Sequence, residues 1–224
     1  MVNALYAEVV PFANEIGELL KNVFGKSVIV DITEWHGRFL VRVAPPLELT
    51  IRGEALATLT AEFGCTWDSA GTFLAVDKST IKLSALLDRA PIFRFEYERR
   101  AHSKPAGHIQ VHGHRGALSH LLSRAHHDTP HSMEALHLPV GGARFRPCLE
   151  DVVQFLIDDC RFDAQPRWRD HVELGRERWR RLQLRAVVRD VPMEAADVLK
   201  RLGYTVIEPE GGPPGQGSVT LRAW

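Results

Sequence analysis

The sequence lacks net charge: 28 Lys and Arg balance 28 Asp and Glu over 224 residues, so no uniformly cationic or anionic surface is encoded. Cysteine is scarce. The three present, Cys65, Cys148 and Cys160, are scattered and form no CxxC pair, which argues against a disulfide framework or a cysteine metal knuckle and fits a reducing compartment. No stretch of about 18 uncharged apolar residues occurs. Glu8, Glu15 and Glu18 stand where a signal peptide would carry positive charge and an apolar run, so the expectation is a soluble, cytoplasmic protein with no membrane partner. GxSxG, P-loop and GxGxxG patterns are missing, which argues against a serine hydrolase, a nucleotide hydrolase and a dinucleotide oxidoreductase. With 45% hydrophobic and 25% charged residues, the composition is that of a globular chain, not a disordered or fibrous one.

The charge that is present is unevenly placed. Residues 1–88 sum to −4, residues 89–146 to +5 and residues 147–224 to −1. The basic middle also holds nine of the eleven histidines, at 102, 108, 112, 114, 120, 126, 127, 131 and 137. Its positive potential would deepen below about pH 6.5, and an anionic partner is expected.

Hydrophobic periodicity predicts an α+β fold with a predominantly antiparallel sheet. Phe12, Ile16, Leu19, Leu20 and Val23 recur at helical spacing, with Pro11 suited to a first turn and Gly25 to the position past the end. From Lys26 the period drops to two, through Val28–Ile32, Phe39–Val43, Leu47–Ile51, Phe73–Ala75 and Ile81–Leu83; residues 54–63 fit helix or strand equally. Residues 91–100 and 108–114 read as neighbouring antiparallel strands, 116–125 as a short helix and 134–140 as a further strand. Beyond Pro147 the spacing turns helical over 149–160, 166–189 and 192–203, followed by a terminal hairpin of 204–207 with 218–221. The expected organisation is one compact unit, with a helix and sheet core over 1–146 and a helical segment over 147–224 packed on it.

The densest chemistry lies on the second of those neighbouring strands. His108, Gln110, His112 and His114 share one face, and strand residues two apart project in parallel about 6.6–6.8 Å from each other. Cleavage of RNA through its own 2′-hydroxyl needs a base, an acid and cations around the phosphorane. His108, His112 and His114 are the candidate acid and base groups, acting without metal or other cofactor. Arg94, Arg115, Arg144 and Arg146 are candidate phosphate cations, since a planar fork matches two phosphate oxygens. The side-chain-free Gly141-Gly142 turn would admit a phosphate closely, with Tyr97 and His137 as supporting groups. The expected function is a nucleic-acid phosphodiester-processing enzyme, RNase-like and acting on RNA, restrained by an inhibitory protein partner as a toxin is by its antitoxin.

Two rivals use the same residues. His-x-His supplies two metal ligands, which His108, His137, Asp128 or Glu134 would complete for a metal-dependent hydrolase, although HxHxDH and HExxH spacings are absent and Arg115 beside the pair disfavours a cation. The other rival is an interaction module whose basic face docks an acidic protein or nucleic acid without turnover. The Arg-rich stretch 176–189 reads as a solvated helix with paired charges, and Trp168 and Trp179 read as core or subunit interface.

Overall fold

The computed structural model describes residues 2–68, 70–87, 90–101, 104–113, 116, 119, 123–124, 128–133, 137–140 and 142–212. The first helix, α1, spans Val2–Phe24 and begins nine residues before Pro11. Leu5 and Val9, 1% and 0% exposed, extend its buried stripe backwards. Two such side chains contribute roughly 3–6 kcal/mol, which outweighs the roughly 3 kcal/mol cost of a proline inside a helix. The helix stops at Gly25, whose φ of 68° suits a residue without Cβ and whose N–H donates to Lys21 O at 2.8 Å.

An eight-stranded antiparallel sheet follows, in the order β1-β2-β4-β5-β6-β7-β8 with β3 also paired to β4. Its strands are β1 (Val30–Trp35), β2 (Arg38–Val43), β3 (Leu47–Ile51), β4 (Glu54–Trp67), β5 (Leu74–Ala85), β6 (Pro91–Glu98), β7 (Gly107–Val111) and β8 (Leu138–Pro139). Two hairpins close on two-residue turns with both φ values positive, His36-Gly37 (50° and 72°) and Arg52-Gly53 (53° and 81°), the geometry that matches the natural twist of paired strands. The segment that fits helix or strand by sequence is strand: β4 runs 14 residues and lies between β5 on one side and β2 and β3, end to end, on the other. The two short runs at 73–75 and 81–83 belong to one strand, β5.

Helix α1 packs on one face of this sheet; after the short α2 (Gly142–Phe145), α3 (Leu149–Asp158) packs on the same face, α4 (Trp168–Asp190) packs on α1 and α3, and α5 (Pro192–Arg201) packs on α4. Phe12 meets Phe63 edge-on at 5.3 Å between centroids, and Phe155 of α3 meets Phe93 at 5.5 Å and Phe95 at 6.1 Å. A single buried core joins α1, the strands, α3 and Val172 of α4, so residues on both sides of position 147 share it. Several arginines of α4 are ion-paired, but mostly with partners on other helices: Arg176 reaches Asp151 at 2.7 Å and Arg178 reaches Glu15 at 2.6 Å, whereas Arg181 and Glu177 pair within the helix at the spacing expected. No side chain of α5 is buried. Residues 204–207 have no regular secondary structure; 218–221, and most of the helix expected over 116–125, lie outside the described residues. Among the described residues no helix is long and apolar enough to cross a membrane.

Candidate functional site

Strict alternation on β6 and β7 sorts the candidate residues onto two faces. Phe93, Phe95 and Tyr97 pair with Leu83, Ile81 and Ser79 of β5 and turn toward the helices. Arg94 and Glu96 stand opposite Gln110 and His108 of β7 and turn the other way. The sheet therefore separates the sequence-derived cluster into two groups.

On the face of the sheet opposite α1, His108 is 1% exposed. Its Nδ1 lies 2.9 Å from Pro105 O, and its Nε2 lies 3.1 Å from Glu96 Oε2. A carbonyl only accepts, so Nδ1 carries a proton. The Nε2 contact needs a second proton, held either by an imidazolium against a carboxylate or by a carboxylic acid against a neutral ring. Both nitrogens are engaged in either case. Glu96 also lies 3.7 Å from both Arg94 and Lys104, and His137 packs edge-on against the His108 ring at 4.7 Å while accepting from Gln110 Nε2 at 3.3 Å. Further along, Arg94 Nε donates to His112 Nε2 at 3.0 Å, and His112 is half-buried. His114, Arg115 and Gly141 lie outside the described residues, and Gly142 opens α2. No three His, Cys, Asp or Glu side chains converge as a ligand set among the described residues.

The remaining arginines do not join Arg94. Arg144 forks onto Asp190 of α4 at 2.8 and 3.1 Å. Arg146 is on the helix side, its guanidinium carbon 3.8 Å above the centre of the buried Tyr97 ring and 5.6 Å from that of Trp179. Withdrawal from water brings its pKa down to about 10, which leaves it charged at neutral pH.

Arg146 also lines a cavity of about 210 Å³ between α1, the sheet and α4. The walls include Phe12, Ile16, Phe63, Ile81, Trp179 and Leu182. Glu150 lies in the wall beside α4, at Gly175, where any Cβ would collide with Glu150 Oε1. Burial raises its pKa. Burial would likewise raise that of Asp151, but hydrogen bonds from Cys148 and Arg176 outweigh this and lower it. Burial pushes the Cys148 thiol up as well, reinforced by the charges of Glu150 and Asp151, so it is no ready nucleophile.

Sequence reasoning passed over Glu96, Glu150 and the cavity. Alternation alone puts Glu96 on the face of His108. An isolated glycine inside the long pattern of α4, Gly175, is the usual signal of close approach by another group. The cavity has no local signal, since its walls come from separate elements. The chain matches no protein-family model, no curated protein and no solved structure, so its function has to be argued from these side chains.

Proposed function

We propose that this chain is a binding protein for a small, largely apolar molecule held between α1, the sheet and α4. One observation carries the reading: a cavity of about 210 Å³ with mainly hydrophobic and aromatic walls and a few charged groups among them, Arg146 included. Ligand sites are built in this way. The volume lies between the roughly 150 Å³ that accepts a benzene ring and the roughly 300–1,000 Å³ of sites for drug-sized molecules, so a single ring with a short substituent fits best. The test is ligand-observed NMR with indole, 2-phenylethanol and phenylacetate, on the native chain and on Leu182→Trp, which places bulk at the cavity rim. Saturable binding of at least one probe, lost in the variant, is expected. If none saturates at millimolar concentration, the reading falls.

A second reading is favoured by the contact of Arg94 with His112. A fixed cation beside an imidazole on the face of the sheet opposite α1 is a pair that phosphodiester chemistry uses, and the charge of this segment suits RNA. With His114 as the second imidazole, this is the metal-independent nuclease, and a self-injurious activity of that kind would call for an inhibitory partner. Labelled RNA incubated in EDTA should be cut, with His112→Ala slower by about 10². Binding without cleavage would favour the basic-face interaction module. One stoichiometric zinc or manganese, lost in His112→Ala, would favour the metal hydrolase.

A further inference from the structure

We infer that α5 is the contact surface of a homodimer, in which the same helix of a second copy lies antiparallel along it. Among the described residues none of α5 lines the cavity, so this contact is independent of whatever the cavity holds.

Helix α5 is well delimited. Pro192 opens it, its fixed φ suited to a first turn. At its end Gly203 N donates to Lys200 O and Tyr204 N to Leu199 O, both at 3.0 Å, the paired hydrogen bonds that stop a helix. Along it Val191, Ala195, Val198 and Leu202 recur at spacings of four, three and four, the repeat by which two helices pack seam to seam. Val191 is buried where α4 ends, but Val198 and Leu202 are 56% and 68% exposed, and Leu199 and Tyr204 are exposed as well. A helix of 10 residues is marginal in water without a packed face, and α5 buries no side chain against α4. A contiguous apolar stripe of this kind marks a surface that another molecule covers.

The charges of α5 choose the occupant. Glu194 is in its first turn and Lys200 and Arg201 are in its last, with Asp197 between them, so the helix is neutral as a whole. An anionic lipid surface is poorly matched, since helices that lie on one carry Lys and Arg across the polar face. Lys200 pairs with Glu208 at 3.6 Å, whereas Glu194, Asp197 and Arg201 form no ion pair among the described residues. Glu194 and Arg201 are seven positions apart and flank the apolar seam on the same side. Two copies laid antiparallel bring Glu194 of each beside Arg201 of the other, at both ends of the contact. A parallel arrangement would set Glu194 against Glu194 and Arg201 against Arg201. The helix therefore complements itself in one direction, as a two-fold contact requires.

Sedimentation equilibrium on the full chain should show a monomer–dimer equilibrium with a Kd on the order of 10–100 µM, as befits a small contact. Leu202→Glu should weaken it about tenfold or more. Glu194→Arg alone and Arg201→Glu alone should each do the same, because each sets like charges together, whereas an equimolar mixture of these two variants should regain dimers of native strength. All three positions are exposed, so urea unfolding should match that of the native chain. The mixture also guards against a folding defect, which no partner variant would repair. A native chain still monomeric at about 1 mM would overturn the proposal and leave the stripe to another occupant. A dimer indifferent to all three substitutions would overturn it by placing the contact elsewhere, and a mixture that stays monomeric would overturn the antiparallel arrangement.

Discussion

Replacing His108 with alanine would remove a ring that is 1% exposed and bonded at both nitrogens, leaving Glu96 and Pro105 O to find other partners beside a void. Orphaned buried groups cost about 1–3 kcal/mol each and the lost packing adds to this. We therefore expect His108→Ala to lose about 2–4 kcal/mol in urea unfolding, while His112→Ala, half-buried, loses about 1 kcal/mol or less. Equal losses would show that the Glu96–His108 pair does not hold this face. At this scale the sequence was partly readable. Alternation places His108, His112, Arg94 and Glu96 on one side of the sheet, which is where they lie. It cannot tell which ring is sealed, because Pro105 and His137 reach His108 from outside the local repeat.

Elements end where side chains from elsewhere meet them. Asp163 shows this at the β3–β4 hairpin, where its carboxylate accepts from Gly53 N, Thr50 Oγ1 and Arg52 N, each at 2.8 Å. The Gly53 hydrogen bond, with those of Thr50 and Arg52, lowers its pKa. A lowered folded-state pKa means that ionised Asp163 favours the native state above the ordinary carboxylate value of about 4, and that this benefit fades as pH falls through the lowered one. Asp163→Ala should accordingly melt at lower temperature than the native chain at pH 7 and speed hydrogen exchange at the Arg52 and Gly53 amides, with the two proteins converging in acid. A difference unchanged by acid would sink this account. The turn glycines and the strand periods are readable in sequence. The partner of the turn, 110 residues away from Gly53, is not, and neither is the early start of α1, because burial of Leu5 and Val9 decides it against the local preference of Pro11.

For the molecule as a whole, the α+β architecture follows from a period of two bounded by periods near 3.6, and that much is legible. The relation between helices is set by close approaches that no window of sequence contains. Gly175 is one, where α4 comes against Glu150 of α3. Alanine in a helix interior is ordinarily favoured over glycine by about 1 kcal/mol. Here a Cβ would displace a partly buried carboxylate, so Gly175→Ala should destabilise the native chain by about 1–2 kcal/mol. In a Glu150→Ala background the same change should become neutral or stabilising. A double-mutant cycle read by urea unfolding measures the coupling, and additive effects would mean that the two helices adjust without strain.

Strand β4 has a further consequence. Residues 54–59 of this strand align with β3, residues 62–65 with β2, and its opposite edge with β5 from Ala57 to Trp67, so a single backbone sets the registration of three neighbours. Lengthening it by one residue near Ala61 would reverse which side chains face inward on the remainder of the strand and disturb its pairing with β2 and β5 at once. Length variation in this protein should therefore accumulate in the connecting loops, while β4 keeps a fixed count.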